Sequence, residues 1–221
     1  MAFVISIFGC GLVLGALSIL QAKVAYSSSF DTYYSPLWGL PHLSVNPQGS
    51  EAQLQMDQSS GAGFRSKLDY GSGLFHIRMK IPNKRTGGIL TSFYLCMCCR
   101  FLVDRIPIRV FKNNSAHGIT YPSKAMHIEA SIWNANWAGV VDWSQAPFIA
   151  YYQDFGFQAC SAQVGGDVSG CGSEQYLWNR QDYWELKPGQ KLEMENYRRL
   201  YMSYDYCAYA STRKPECSFN V

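Results

Sequence analysis

The stretch GSGLFHIRMKIP, residues 71–82, sets Phe75, Ile77, Met79 and Ile81 against His76, Arg78 and Lys80. A period of two sends one set into a core and the other into water, so the segment reads as a half-buried strand. RIPIRVFKNNS repeats the pattern through Ile106, Ile108 and Val110, then enters a turn at 112–115. HIEASIWN sets His127, Glu129, Ser131 and Trp133 against Ile128, Ala130 and Ile132. Glycine-rich punctuation at 59–63, 71–73 and 87–88 separates these runs. Short strands at this spacing predict an all-β antiparallel sandwich or jelly roll. The tail changes character: QKLEMENYRRLY, residues 190–201, predicts a helix with Leu192, Tyr197, Leu200 and Tyr201 on one side.

Composition removes whole classes of function. Apolar residues make up 48% of the 221 and charged residues only 16%, which excludes a disordered polar chain. The net charge of +3 comes without a basic run, so no nucleic-acid footprint is present. Fifteen Tyr, twelve Phe and six Trp form an unusual aromatic load. Most such rings fill a core; exposed ones stack on flat apolar faces such as those of sugars.

The first residues, MAFVISIFGCGLVLGALSILQAKVAYSSS, carry no charge from 2 to 20 and leave through the small residues Ala22 and Ala25. That reads as a secretory signal over 1–25, cleaved after Ala25, with no stable membrane insertion afterwards. The competing reading is an uncleaved anchor. Cys10 would leave with the signal, and seven cysteines would enter an oxidising compartment where pairing is the default. Cys160 with Cys171, and Cys207 with Cys217, each close a short loop as local staples do. Cys96, Cys98 and Cys99 remain. They lack the paired-knuckle spacing and the nearby His of a structural zinc site, and the βαβ context of a redox pair. No metal and no cofactor is expected. Asn113-Asn114-Ser115 is a glycosylation sequon.

The segments YYSPLWGLPHL, SSGAGFRSKLDYGSGLFHIRMKIP, IPIRVFKNN, YPSKAMHIEASIWNANWAG, DWSQAPFIAYYQDF, YMSYDYC and PEC resemble the plant xyloglucan endotransglucosylase/hydrolases, a branch of glycoside hydrolase family 16. The resemblance implies a concanavalin A-like β-jelly-roll sandwich with a sugar-binding cleft over 26–155. It also implies a C-terminal extension over 156–221 that holds the two local disulfides and a short helix. Retaining chemistry in that family rests on two carboxyls, one attacking the anomeric carbon and one acting as acid and base. The family carries them on one strand as Glu-x-Asp-x-Glu, where alternation aims all three at the cleft.

That motif is absent from this sequence. The only Glu-x-Glu is Glu193-Met194-Glu195 in the helical tail, and Glu129 has no acid at 127, 131 or 133. Resemblance stops at SFYL and resumes at VDRIPIRVF, with CMCCRFL between them, so the trio marks the junction of a deletion at 95–103. The chain is expected to have internal strands missing, no catalytic residue and no turnover. The deletion is also expected to strip partners from Phe75, Ile77 and Ile108. What the resemblance leaves for substrate is Asn136, Trp137 and Gly139 after the third strand run, and Arg213 in the tail. The expected partner is cell-wall xyloglucan and the expected place the plant wall, with the protein a monomer. Two further readings are a non-catalytic xyloglucan-binding protein and the product of a truncated gene.

Overall fold

Alternating residues become two antiparallel sheets. The computed structural model describes residues 2–7, 28–94, 100–111, 113–119, 124–162 and 166–219. The expected cleavage point at Ala25, the trio Cys96, Cys98 and Cys99, and the first turn residue Lys112 lie outside them. The strands are β1 (Ala2–Ile7), β2 (Tyr34–Trp38), β3 (Leu43–Val45), β4 (Glu51–Met56), β5 (Ala62–Ser66) and β6 (Asp69–Lys80). They continue as β7 (Ile89–Tyr94), β8 (Arg100–Val103), β9 (Ile106–Val110), β10 (Glu129–Asn134), β11 (Phe148–Gln153) and β12 (Phe157–Ala162). The larger sheet runs β3-β4-β11-β6-β1-β8-β9, with β12 along β6; the smaller runs β2-β5-β10-β7. β1 lies between β6 and β8, so leader removal would take out a central strand.

The core fills the space between the sheets. Ala52, Leu54 and Met56 of β4 and Phe75, Ile77 and Met79 of β6 point into it from one side. Phe64, Ile128, Ala130 and Ile132 point into it from the other. Phe64 lies at the centre, edge-on to Phe30 at 5.1 Å, Tyr34 at 5.3 Å and Tyr152 at 5.2 Å. Edge-to-face contact sets the positive rim of one ring on the negative face of the next. The buried Tyr152 hydroxyl is satisfied across the sandwich, donating to the Ser92 carbonyl at 3.1 Å.

Three expectations need correction. Phe75 and Ile77 are fully buried in the full chain, where β1 pairs along both, Ile7 with Phe75 and Ile5 with Ile77. β12 pairs along β6 and brings Phe157 to 5.4 Å from the Phe75 ring. Ile108 is 37% exposed because the β8–β9 register shifts, pairing Phe101 with Arg109 but Leu102 with Pro107. The bulge turns Ile108 outward and leaves Pro107 and Val110 buried. The tail helix forms as α3 (Pro188–Tyr201), but its packed residue is Met194, while Leu192, Tyr197, Leu200 and Tyr201 stay exposed. α3 leans on β9 along the i, i+4 stripe Gln190–Met194–Arg198.

Two disulfides staple the extension, Cys160–Cys171 and Cys207–Cys217, with Cα separations of 5.4 and 5.5 Å. Beside the first, Ser72 donates to the Cys171 carbonyl at 2.6 Å and receives the Trp178 indole N–H at 2.9 Å. Beside the second, Arg109 of β9 donates to the Tyr206 hydroxyl at 2.8 Å and to Asp205 at 3.4 Å. Its guanidinium also lies over the Phe111 and Tyr206 rings. Asp205 binds Arg198 at 2.5 Å as well.

The Cys207 backbone N–H, then Arg109 and Arg198, hold the Asp205 carboxyl below its ordinary value. A depressed carboxylate stabilises the fold fully above its unfolded value, about pH 4, and that contribution is lost as pH falls through the lower folded value. Acid unfolding followed by tail proteolysis should therefore lose part of its pH dependence in Asp205→Asn. Arg109→Ala should cost roughly 1.5–3 kcal/mol by denaturant unfolding, the range for a hydrogen bond to a charged group.

Candidate functional site

Because Ile128, Ala130 and Ile132 face the core, Glu129, Ser131 and Trp133 must face outward. Register then builds the rest of that outer face. Tyr94 and Arg65 stand opposite Glu129, Ser92 and Gly63 opposite Ser131, and Leu90 opposite Trp133. Trp38 of β2 comes to rest over Gly63. A Cβ at Gly63 would sit 2.6 Å from the Trp38 indole nitrogen, so glycine lets the ring lie flat against the sheet.

Water reaches Trp38, Trp133 and, most fully, Trp137, which is 77% exposed. Trp133 and Trp137 meet edge-on at 6.5 Å. Between the rings runs a polar row. Tyr94 donates its hydroxyl to Glu129 at 2.5 Å, and the Ser92 and Ser131 hydroxyls share a hydrogen bond at 2.8 Å. Flat apolar rings beside hydroxyl and carboxylate acceptors suit the two sides of a sugar, its C–H face and its hydroxyl rim.

Asn136, Trp137 and Gly139 lie together, in and just after the exposed 3-10 turn Asn136–Ala138 that follows β10. This turn is zipped to the Gly87–Gly88 corner, Ala135 donating to the Gly88 carbonyl at 2.9 Å and Gly88 to the Ala138 carbonyl at 3.0 Å. Gly139 has φ +120°, and a Cβ there would come within 3.1 Å of the Gly88 nitrogen. Its freedom from a side chain serves that backbone approach. Arg213 stands apart from this turn in the structure's bonding, donating to the Cys207 carbonyl at 3.5 Å inside the second disulfide loop. Asn113 is exposed, and its side-chain oxygen accepts from the Ser115 N–H at 3.1 Å.

The carboxyl inventory decides the chemistry. All sixteen Asp and Glu residues fall within the described residues. Of the side chains that register places on the outer face of the smaller sheet, Glu129 is the one acid. Among the described residues, no group of three or more His, Cys, Asp and Glu is arranged to hold a metal ion.

One polar cluster near the face escapes sequence reasoning. The His42 Nε2 lies 3.0 Å from Asp57, and the Ser59 hydroxyl donates to Asp57 at 2.6 Å. Ser59 and His42 then hold the Asp57 carboxyl well below the carboxylate range. Ser59 also lies 3.4 Å from that same ring nitrogen. A nucleophilic triad needs the base to take the serine proton through one nitrogen while the other is anchored to the acid. Here one nitrogen faces both, so the cluster works as a clamp between the loop after Trp38 and the turn at 57–60. Trp38 and Gly63 are among the face residues that sequence reasoning left unassigned. Their signal was a glycine inside the strand AGFRS, which marks close approach of another group.

Two antiparallel sheets packed face to face, with Trp38, Trp133 and Trp137 exposed, define the class: a two-sheet antiparallel β-sandwich. The chain belongs to the glycosyl hydrolases family 16, whose pattern matches residues 30–99 and 97–153, on the xyloglucan endotransglucosylase/hydrolase branch. It is 34% identical to "Xyloglucan endotransglucosylase/hydrolase protein 2" of Arabidopsis thaliana, over 85% of this chain and 87% of that relative. It is 36% identical to "Xyloglucan endotransglucosylase/hydrolase protein 3" of the same plant, over 81% and 84%.

Two details of these matches bear on the site. The family pattern is met in two pieces that join at residues 97–99, inside the cysteine trio. The first alignment runs over 254 positions and this chain has 221 residues, so at least 254 − 221 = 33 positions of the relative have no counterpart here.

Proposed function

We propose that this chain binds a xyloglucan-type β-1,4-glucan along the outer face of the smaller sheet and does not cut it. The relatives' names supply the glycan, and the two-piece match with its surplus of positions supports a deletion at 95–103. Glu129 standing as the one acid on that face carries the reading. Retaining transfer needs two carboxyls about 5–5.5 Å apart across the scissile bond. Held by Tyr94 and opposite Arg65, Glu129 cannot be both nucleophile and acid.

Export follows from the apolar leader over 1–25, and the wall is the destination. Cleavage after Ala25 removes β1. The jelly roll then spans 26–155 and the extension 156–221, with glycosylation at Asn113. Among the described residues no helix is long and apolar enough to cross a membrane.

Electrophoresis through a gel holding soluble xyloglucan tests binding. The protein should be retarded, and Trp137→Ala should weaken retention by about tenfold, as expected for losing a ring contact worth roughly 1.5 kcal/mol. Equal mobility with and without the glucan would refute the proposal.

A further inference from the structure

The smaller sheet ends at β2 on one side and at β7 on the other. A free strand edge is a template for another strand, and proteins blunt such edges with proline, charge, bulges, brevity or a covering element. β2 carries Pro36 and a register shift between Pro36 and Trp38. In the larger sheet, β3 is three residues long, while β9 has Pro107, a register shift against β8 and α3 packed on it. The edges that loss of β1 would open bear Arg78 and Lys80 on β6 and Arg100 on β8.

Among the described residues, β7 has none of these devices. Ile89–Tyr94 reads ILTSFY, without charge or proline, and pairs with β10 over six residues with no break. It also ends just before residues 97–99, where the two pieces of the family match meet.

We infer that the outer edge of β7 is an interaction surface for the β7 of a second copy. Antiparallel pairing about a two-fold axis through Ser92 sets Leu90 against Tyr94, Thr91 against Phe93 and Ser92 against Ser92. Each pair then shares one face of the sheet, as the period of two requires. An uncharged strand meets its own copy without like-charge repulsion, and aliphatic-on-aromatic pairs favour this register. The two four-stranded sheets become one of eight. With the axis perpendicular to the sheet, both sets of Trp38, Trp133 and Trp137 look the same way. If this face binds glucan, as proposed above, a single polymer can engage two sites, which raises avidity without new contacts.

Sedimentation velocity over a concentration series tests the pairing with the full protein. The parent should shift to twice the protomer mass. Ser92→Lys and Ser92→Asp should each sediment as monomers with unchanged circular dichroism, and an equimolar mixture of the two should recover the dimer. A parent that stays monomeric at every concentration would overturn the inference. So would variants that dimerise as the parent does. A charge-sensitive dimer that xyloglucan gels fail to retard would uphold the edge and sink the glycan reading instead.

Discussion

Phe64→Ala should destabilise the protein by about 3–5 kcal/mol, the cost of emptying a buried aromatic site. Phe64 is fully buried and touches Phe30, Tyr34 and Tyr152 at edge-on distances between 5.1 and 5.3 Å. Those rings come from the segment before β2, from β2 itself and from β11. Small neighbours cannot collapse into the gap, since rings on both sheets are fixed by their own edge contacts. A domain's whole stability is about 5–15 kcal/mol, so the variant should melt far below the parent or fail to accumulate. Thermal denaturation followed by near-ultraviolet circular dichroism reads the change, because the packed tyrosines of this cluster contribute to the aromatic signal. A loss below about 1 kcal/mol would mean the two sheets are held together elsewhere.

Supplied with xyloglucan and a labelled oligosaccharide acceptor, the purified protein should form no transfer product above background. Removing the nucleophile and the acid/base together abolishes both halves of a double displacement, and the reacting groups of a hydrolase can account for a factor on the order of 10⁶ in rate. Glu129 does not restore either half. Its carboxylate accepts the Tyr94 hydroxyl at 2.5 Å, and its nearest cross-strand partners are a tyrosine and an arginine. In the proposed reading binding and cutting separate: exposed tryptophans stand on the face for a glycan, and Glu129 is the one acid that register places among them. Product at the rate of an active relative would contradict this directly.

Much of the fold is legible in the sequence because β6 and β10 alternate in residue type, and Phe75, Ile77, Met79, Ala130 and Ile132 are all found buried, with Ser131 buried beside them. Legibility fails where a local irregularity changes the period. The bulge opposite Phe101 and Leu102 slips β9 by one residue, and no alternation rule foresees which residue it turns out. In α3 the apolar count misleads for another reason. Helix faces are chosen by what they pack against, and β9 with the Asp205–Arg198 pair selects Met194 over the more numerous exposed rings. The same holds for the face. Trp133 and Trp137 were visible in one contiguous run, but Trp38 joins them through β5, a pairing that lies in register and not in sequence. Likewise Phe75 packs against Phe157, a neighbour that lies far along the chain.

Intact-protein mass spectrometry after exposure to a 2-deoxy-2-fluoro xyloglucan oligosaccharide carrying a good leaving group addresses the solitary carboxylate most directly. Such donors trap a retaining nucleophile as a stable glycosyl ester. The account predicts a single unshifted mass, from protein that a xyloglucan gel still retards. A one-to-one glycosyl adduct mapped to Glu129, or to any other aspartate or glutamate, would contradict it.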